Sequence, residues 1–458
     1  MSRELLDSLL AGKLRDPDGG GMLIPPLRHI VLARGLGEAA ASLVAPLSFG
    51  KSLTVVMDPD TQAALGAKVV ASLASAYAVE EIVLPRHPHP DMDAVNAVIA
   101  RTQKTNALVA IGSGSVNDIT KYAAHLTGRP YAVFGTAPSM NGYTSVSAAI
   151  TEHGLKKSLP ASLPKGVFLD LDVMAAAPRR LIASGFGDSL ARATAQTDWL
   201  MAHLLLGKPY RETPFMLLAN DEEDMIAAAP ALRAGDVSAV ELLVRTLVMS
   251  GLGMTLCGGS YPASQGEHLI AHYIDMRGRD LPKAYHGEHI SVTTLTMARL
   301  QERLLARPTL RLAPTGDTEA SMIEKFGEEV GDACWAAFRP KVFDKGATEE
   351  LNLKLAREWP TIRDRLRSVA RFEIEIKKAL LAVGAPTAPE DSHPVEPGLA
   401  PALARLPERR RTAVLLVHGC GWTHQEVADA LGLSRSSVGT HVERAMTQLR
   451  NELGAHDG

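Results

Sequence analysis

Through the first third of the chain, short apolar runs alternate with amphipathic stretches. Residues 53–57 (LTVVM) form a run that ends at Asp58-Pro59, and residues 63–78 carry a helical period. Residues 81–84 read as a strand and residues 92–104 as a helix. Residues 107–111 (ALVAI) then make a strand that runs into Gly112-Ser113-Gly114, and residues 131–134 a further one after another helix. Short apolar strands separated by helices of about ten residues or more predict βαβ units and a parallel sheet. From about Pro178 onward the pattern changes to long helical periods with few β-branched runs, which predicts an all-helical domain. Residues 384–401 (GAPTAPEDSHPVEPGLAP) are rich in proline and small or polar residues, cannot build a core, and read as a linker. Beyond them, residues 403–453 form a compact helical unit. The expected organisation is an α/β domain over 1–177, an all-α domain over 178–384, a linker over 385–401 and a small all-α domain over 402–458.

Composition narrows this picture without changing it. The chain has 458 residues, 46% hydrophobic and 22% charged, enough for two or three domains with a substantial core. A formal net charge of −3 excludes a whole-chain field that would recruit nucleic acid or an anionic membrane, so any such contact must be local. Cys257, Cys334 and Cys420 are far apart with no CxxC pair, which argues against a disulfide framework or a thiolate zinc site. Residues 1–14 do not read as a signal peptide, and no uninterrupted apolar run reaches the roughly 18 residues of a membrane span. A soluble, cytoplasmic protein is expected.

Two constellations carry candidate chemistry. The turn Gly112-Ser113-Gly114-Ser115 follows a strand and opens a helix containing Asp118 and Lys121. Its glycines let a backbone approach a pyrophosphate, and the helix N-terminus supplies free N–H groups. A tight strand-to-helix turn needs glycine anyway, so the motif alone decides nothing. Asp58 stands where an acid accepts hydrogen bonds from an adenosine ribose, or is simply the turn residue before Pro59. The second constellation combines Asp188, in Gly185-Phe186-Gly187-Asp188 at the start of an expected helix, with two histidine pairs. His268 and His272 are one helical turn apart, and His286 and His289 follow. Four of the chain's 15 histidines therefore fall within residues 268–289. One carboxylate with two imidazoles suits an open site for Zn²⁺, Ni²⁺ or Fe²⁺, but spacing does not choose which histidines would serve.

Together these segments resemble the glycerol-1-phosphate dehydrogenases, a branch of the iron-containing alcohol dehydrogenase and glycerol dehydrogenase superfamily. The resemblance runs through most of residues 25–385. It is most specific over residues 136–145 (TAPSMNGYTS), Asp170-Leu171-Asp172 with Ala177-Pro178, and Gly185-Phe186-Gly187-Asp188 with Asp198-Trp199. It implies an N-terminal dinucleotide-binding α/β domain, an all-α dehydrogenase domain and an active site between them. It places Asp188, His268 and His286 on the metal positions, with zinc expected and nickel or iron as alternatives. It also places Gly112, Ser113, Gly114, Ser115, Asp118 and Lys121 on the nucleotide segment, and Thr136, Ser139 and Ser145 on the loop facing NAD(H) or NADP(H). Asp58 would favour NAD by repelling a 2′-phosphate. The implied reaction interconverts dihydroxyacetone phosphate and sn-glycerol-1-phosphate, a step in phospholipid biosynthesis, in a homo-oligomer, with Asn141 near the substrate and His272 as a proton relay. Two departures bear on it: Asn141 stands where the family usually has Asp, and Arg192 where lysine is common. A sugar-phosphate cyclase of the dehydroquinate synthase type shares fold, NAD and metal, but its usual first ligand is glutamate, not the aspartate of GFGD.

Residues 423–438 (THQEVADALGLSRSSV) have the spacing of a helix-turn-helix: apolar Val427, Ala428 and Leu431, a turn at Gly432, a cap at Ser434, and packing residues Val438 and Val442. Arg435, Ser436, Ser437, Thr440, His441 and Arg444 are candidates for phosphates or base edges. With Leu406-Pro407-Glu408-Arg409-Arg410-Arg411 ahead, the unit resembles sigma-factor region 4, which implies contact with DNA or RNA polymerase. Residues 405–452 hold seven Arg against five Asp or Glu, a net charge of about +2 and modest for DNA binding. The other readings are a packing appendage, or a transcription regulator that uses a degenerate dehydrogenase domain as a metabolite sensor.

Overall fold

A computed structural model describes residues 2–152, 155–277, 284–392, 405–419 and 423–453. The chain falls into two compact units, Met1–Thr387 and Ala388–Gly458.

In the first unit six parallel strands lie in the order β1-β8-β5-β4-β2-β3. They are β1 (His29–Ala33), β2 (Ser52–Met57), β3 (Ala78–Val83), β4 (Ala107–Gly112), β5 (Tyr131–Gly135) and β8 (Gly166–Asp170). Strands β2, β4 and β5 coincide with the apolar runs expected from sequence. Strand β3 starts three residues earlier than expected, and β1 and β8 are additions. Between β5 and β8 an antiparallel hairpin, β6 (Ser147–Glu152) with β7 (Leu155–Pro160), stands apart from the main sheet.

Alternation along the strands sorts side chains between two faces. On β4, Val109 and Ile111 pack with Val44, Leu65, Val69 and Leu73. Leu108 and Ala110 pack on the opposite face with Val95, Val98, Ile119 and Ala123. Helices thus cover both sides, as a parallel sheet requires. The second core does not stop at the sheet. It runs on through Met174, Ile182 and Phe186 to Val240, Leu247 and Leu252. The α/β layer and the helical layer are therefore welded by one apolar core within one unit, and residue 177 separates layers rather than bodies.

The helical layer is built on Arg179–Leu190, Arg192–Leu206, Val237–Cys257, Gly266–Arg277 and His286–Leu305, with Lys345–Arg367 and Glu373–Val383 behind them. Val237–Cys257 is long and apolar enough to cross a membrane, but 72% of that stretch is buried inside the fold, the environment of a core helix. The GFGD segment is the internal contact of this layer. A Cβ at Gly187 would lie 1.9 Å from Ser291 Oγ and 2.7 Å from the Gly287 carbonyl oxygen. A Cβ at Gly185 would lie 1.7 Å from the Pro138 carbonyl oxygen. Glycine is required here for close approach of backbones, in spite of its poor helix propensity.

The second unit contains Glu408–Val414, His424–Leu431 and Arg435–Leu453 around a core of Leu406, Ala413, Val427, Ala428, Val438, Val442, Ala445 and Leu449. Thr423 forms a capping box with Glu426, and Gly432 ends that helix at φ 64°. Ser434 Oγ accepts the Ser437 N–H at 3.1 Å and starts the next helix. The helix-turn-helix expected from residues 423–438 is present, and Val438 and Val442 are buried.

Gly185→Ala is expected to cost about 1–3 kcal/mol or more, because its Cβ meets a backbone carbonyl that no rotamer change can move. Gly316→Ala, where nothing lies within 4 Å of the added carbon, should stay within about 0.5 kcal/mol of wild type. Urea unfolding of both variants checks this; equal midpoints would remove the close-approach argument.

Candidate active site

Three helices bring Asp188, His268 and His286 together. Asp188 does not start a helix, as expected from sequence, but is the third residue from the end of Arg179–Leu190. Pro178 precedes that helix, and the glycines that disguise its interior serve packing. His268 lies in the first turn of Gly266–Arg277, and His286 is the first residue of His286–Leu305. Helix N-termini disfavour imidazolium, which favours the neutral, metal-ligating form of His286. One donor atom from each of the three residues falls within 4.8 Å of the others. The Nε2 atoms of His268 and His286 are each 3.7 Å from Asp188 Oδ1.

Asp188 is 2% exposed. Its Oδ2 accepts the Asn141 N–H at 3.1 Å, while Oδ1 has no hydrogen-bond partner. Burying a carboxylate oxygen without a partner costs several kcal/mol, and an unpartnered oxygen facing two imidazole nitrogens is the donor set of a divalent cation. Behind His268 stands a carboxylate that orients it. Glu267 Oε1 is 2.8 Å from His268 Nδ1 and also accepts the Gln265 N–H at 2.8 Å. Its Oε2 accepts from Thr194 Oγ1 at 3.1 Å. That contact fixes the ring with Nε2 turned toward Asp188. Burial opposes charge on His268, but the carboxylates of Asp188 and Glu267 outweigh it and hold the imidazolium up to about 9. Burial, reinforced by Lys156 and His268, pushes His286 well below its ordinary value.

Around the trio, Asp198 accepts from Gln301 Nε2 at 2.8 Å and from the Gly266 N–H at 3.3 Å. Burial, with Glu267 nearby, raises its carboxyl to about 6. His272 lies with its ring centre 6.2 Å from that of His268 and 6.1 Å from that of His286. Burial and the charges of Lys156 and His268 lower it to about 4, so at neutral pH it is uncharged. His289 stays outside the trio, with Nδ1 2.9 Å from Asp275 Oδ1.

The glycine turn ends β4. A Cβ at Gly112 would lie 2.5 Å from Val116 Cβ, so glycine lets the helix Gly114–Thr127 start flush against the strand. Ser113 makes no side-chain cap, which leaves the first helical N–H groups, with Ser115 among them, for a ligand. Thr136 and Ser139 are each 7% exposed on the adjoining loop. Four residues expected at the cofactor are otherwise engaged. Lys121 is fully buried, donates to the carbonyl oxygens of Gly142 (2.6 Å), Ser147 (3.0 Å) and Ser145 (3.3 Å), and is lowered to about 8 by burial. Asp118 accepts from the Ala149 N–H at 3.1 Å. Ser145 Oγ donates within the same loop. Asp58 caps the helix that follows it, accepting the Thr61 N–H at 2.8 Å in a capping box. The loop 136–147 is pinned from its other side as well. Thr144 Oγ1 donates to the Val248 carbonyl at 2.9 Å, and Asn141 Nδ2 to Ser250 Oγ at 3.3 Å. Arg192 is bound by Glu222 and, at 3.1 Å, by Gln196.

Glu267, Thr194 and Gln301 went unremarked in the sequence, where a buried carboxylate beside a ligand histidine has no signature. In the second unit, Arg435, Ser436, Thr440 and Arg444 are exposed along one helix, with Ser437 and His441 half-buried beside them.

Comparison with known proteins is consistent with this arrangement. Residues 31–178 match the family described as iron-containing alcohol dehydrogenase, and residues 399–449 match sigma-70 region 4. The glycerol-1-phosphate dehydrogenase [NAD(P)+] of Pyrococcus furiosus is 32% identical over 274 residues, 60% of this chain and 78% of that protein. The Bacillus subtilis enzyme of the same name is 28% identical over 352 residues, covering 74% and 89%. Among solved structures, a glycerol dehydrogenase from Schizosaccharomyces pombe superposes with a TM-score of 0.53 at 18% identity, covering 81% of this chain and 96% of its own, a likeness of fold.

Glu267→Gln keeps the shape but replaces one acceptor oxygen with an NH₂ group. It is expected to weaken zinc binding about ten- to hundredfold, whereas His289→Ala leaves it unchanged. Calorimetric titration of the full chain with zinc checks both; undiminished affinity in Glu267→Gln would show that this carboxylate does not orient His268.

Proposed function

This chain belongs to the glycerol-1-phosphate dehydrogenase family and is an NAD(P)-dependent alcohol dehydrogenase; we propose that it interconverts dihydroxyacetone phosphate and sn-glycerol-1-phosphate with a divalent cation. The observation that carries this reading is the buried, unpartnered Asp188 Oδ1 facing two imidazole Nε2 atoms. Asp188, His268 and His286 would hold the cation, with zinc the expected metal. A cation there supplies Lewis acidity for the substrate carbonyl, and NAD(P)H supplies the hydride. Glu267 keeps His268 in the tautomer that offers Nε2. The Gly112–Ser115 turn and the open helix N-terminus behind it would take the pyrophosphate, with Thr136 and Ser139 presenting hydroxyls beside it. Asn141 fixes Asp188 through its backbone N–H, while its amide donates to Ser250 Oγ at 3.3 Å. His272, neutral at physiological pH, would hold or pass the proton that the product hydroxyl gains. The two relatives described above carry the dehydrogenase name.

Full-length protein with zinc, NADH and dihydroxyacetone phosphate is expected to oxidise NADH. His268→Ala should lower kcat/KM by more than about a hundredfold, beyond the loss typical for partners behind a ligand. Retained activity in that variant would remove His268 from the metal site.

The second unit supports a further reading, because its match to sigma-70 region 4 coincides with an exposed row of Arg435, Ser436, Thr440 and Arg444. We propose that this face contacts duplex DNA. Full-length protein should retard a duplex at low salt and lose it steeply as salt rises, and Arg435→Ala with Arg444→Ala should abolish the shift. No retardation at low salt would leave a packing appendage.

A further inference from the structure

We propose that Lys156 recognises the substrate's phosphate and is the residue by which this site selects phosphorylated ketones. The inference rests on the reading of the substrate given above. The hairpin of β6 and β7 extends from the α/β layer to the helix that carries His268. In its register Lys156 lies opposite Thr151. The next residue, Lys157, points to the other face and pairs with Glu152 at 2.9 Å. Lys156 turns inward, with 20% of its side chain exposed, and reaches Asp275 on Gly266–Arg277 at 2.6 Å. Strand β6 of the hairpin is tied to the helix behind the glycine turn by the Ala149 N–H donated to Asp118 at 3.1 Å, and Asp275 joins Lys156 to His289 on the helix that begins at His286. The ammonium therefore stands on the hairpin that links the glycine-turn helix to the two helices carrying His268 and His286.

A phosphate dianion beside the carboxylates of Asp188 and Asp275 needs a cation with N–H groups to spare. Lys121 is fully buried and bound to loop oxygens, Arg180 is bound by Glu288 at 2.8 Å, and Arg192 by Glu222. Among the described residues Lys156 donates only to Asp275. An ammonium has three N–H bonds, so two remain for phosphate oxygens. Asp275 also has His289 at 2.9 Å, so it stays partnered when Lys156 turns to an incoming anion.

The test uses the full-length zinc protein with NADH, comparing wild type, Lys156→Met and Lys156→Arg on dihydroxyacetone phosphate and on unphosphorylated dihydroxyacetone. Lys156→Met should raise KM for the phosphorylated ketone about ten- to hundredfold, the loss expected for a charge-assisted contact. Its loss in kcat/KM should be much smaller for dihydroxyacetone than for the phosphorylated ketone, and Lys156→Arg should restore most of the KM. Inorganic phosphate, measured by calorimetry independently of turnover, should bind wild type and not Lys156→Met. Equal phosphate binding in both, no phosphate binding in either, or equal losses on the two ketones would overturn the proposal. A wild type that binds phosphate through Lys156 but ignores dihydroxyacetone phosphate would defeat only the proposed reaction.

Discussion

A carboxylate 2% exposed, with one oxygen unpartnered, is a charge the fold must balance, and Asp188 is that charge. Without compensation its burial costs several kcal/mol. The surrounding structure supplies only part of the balance: one backbone N–H from Asn141 to Oδ2, and two imidazoles that approach Oδ1 without bonding it. The helices that present those imidazoles do so from their N-terminal turns, and at His286 burial adds to the end of the helix in opposing a proton on the ring. Carboxylate and rings are thus poised for a cation more than for each other. The three-glycine crossing at Gly185, Gly187 and Gly287 is what lets the backbones approach closely enough for this arrangement.

The same economy governs the loop 136–147. It has little regular structure, yet it is buried between Gly114–Thr127 and Val237–Cys257, and each of its polar groups needs a partner. Lys121 answers several of its carbonyls from one side, while Thr144 and Asn141 reach the helix on the other. A lysine buried this completely loses solvation, which is why its ammonium falls to about 8. The gain is a rigid connection between the sheet edge and Asp188, through Asn141. Because the apolar core is continuous across both layers, little independent movement of the metal trio against the glycine turn is expected from packing alone.

How much of this was legible follows from what each residue type reveals. Strands β2, β4 and β5 carry long apolar runs that stand out, whereas β8 (GVFLD), equally central, holds only Val167, Phe168 and Leu169 between a glycine and an aspartate. Strand β1 (HIVLA) is half-exposed, and the hairpin strands mix small and charged residues without a clean alternation, so neither announced itself. The GFGD segment was visible as a motif but misplaced within its helix, because glycine reads as a breaker where it in fact serves close packing. Spacing put Asp118 and Lys121 after the glycine turn, but spacing does not say toward which neighbour a side chain points, and both turn to residues 142–149. Glu267 is one step from His268 in sequence, and only the fold shows that the two side chains meet.

The exchange of Asp for Asn at 141 fits the charge balance of the site. The Asn141 backbone N–H already touches Asp188, so an aspartate at 141 would set a second carboxylate beside a buried one. Each would raise the other's proton affinity, in a region that also holds Glu267, Asp198 and Asp275. With asparagine, position 141 adds no negative charge beside the single carboxylate of Asp188. Asparagine keeps an acceptor oxygen and adds a donor, which Ser250 now occupies at 3.3 Å. His272, uncharged near pH 7, could deliver a proton only as a relay, taking one up at one ring nitrogen as it releases one from the other.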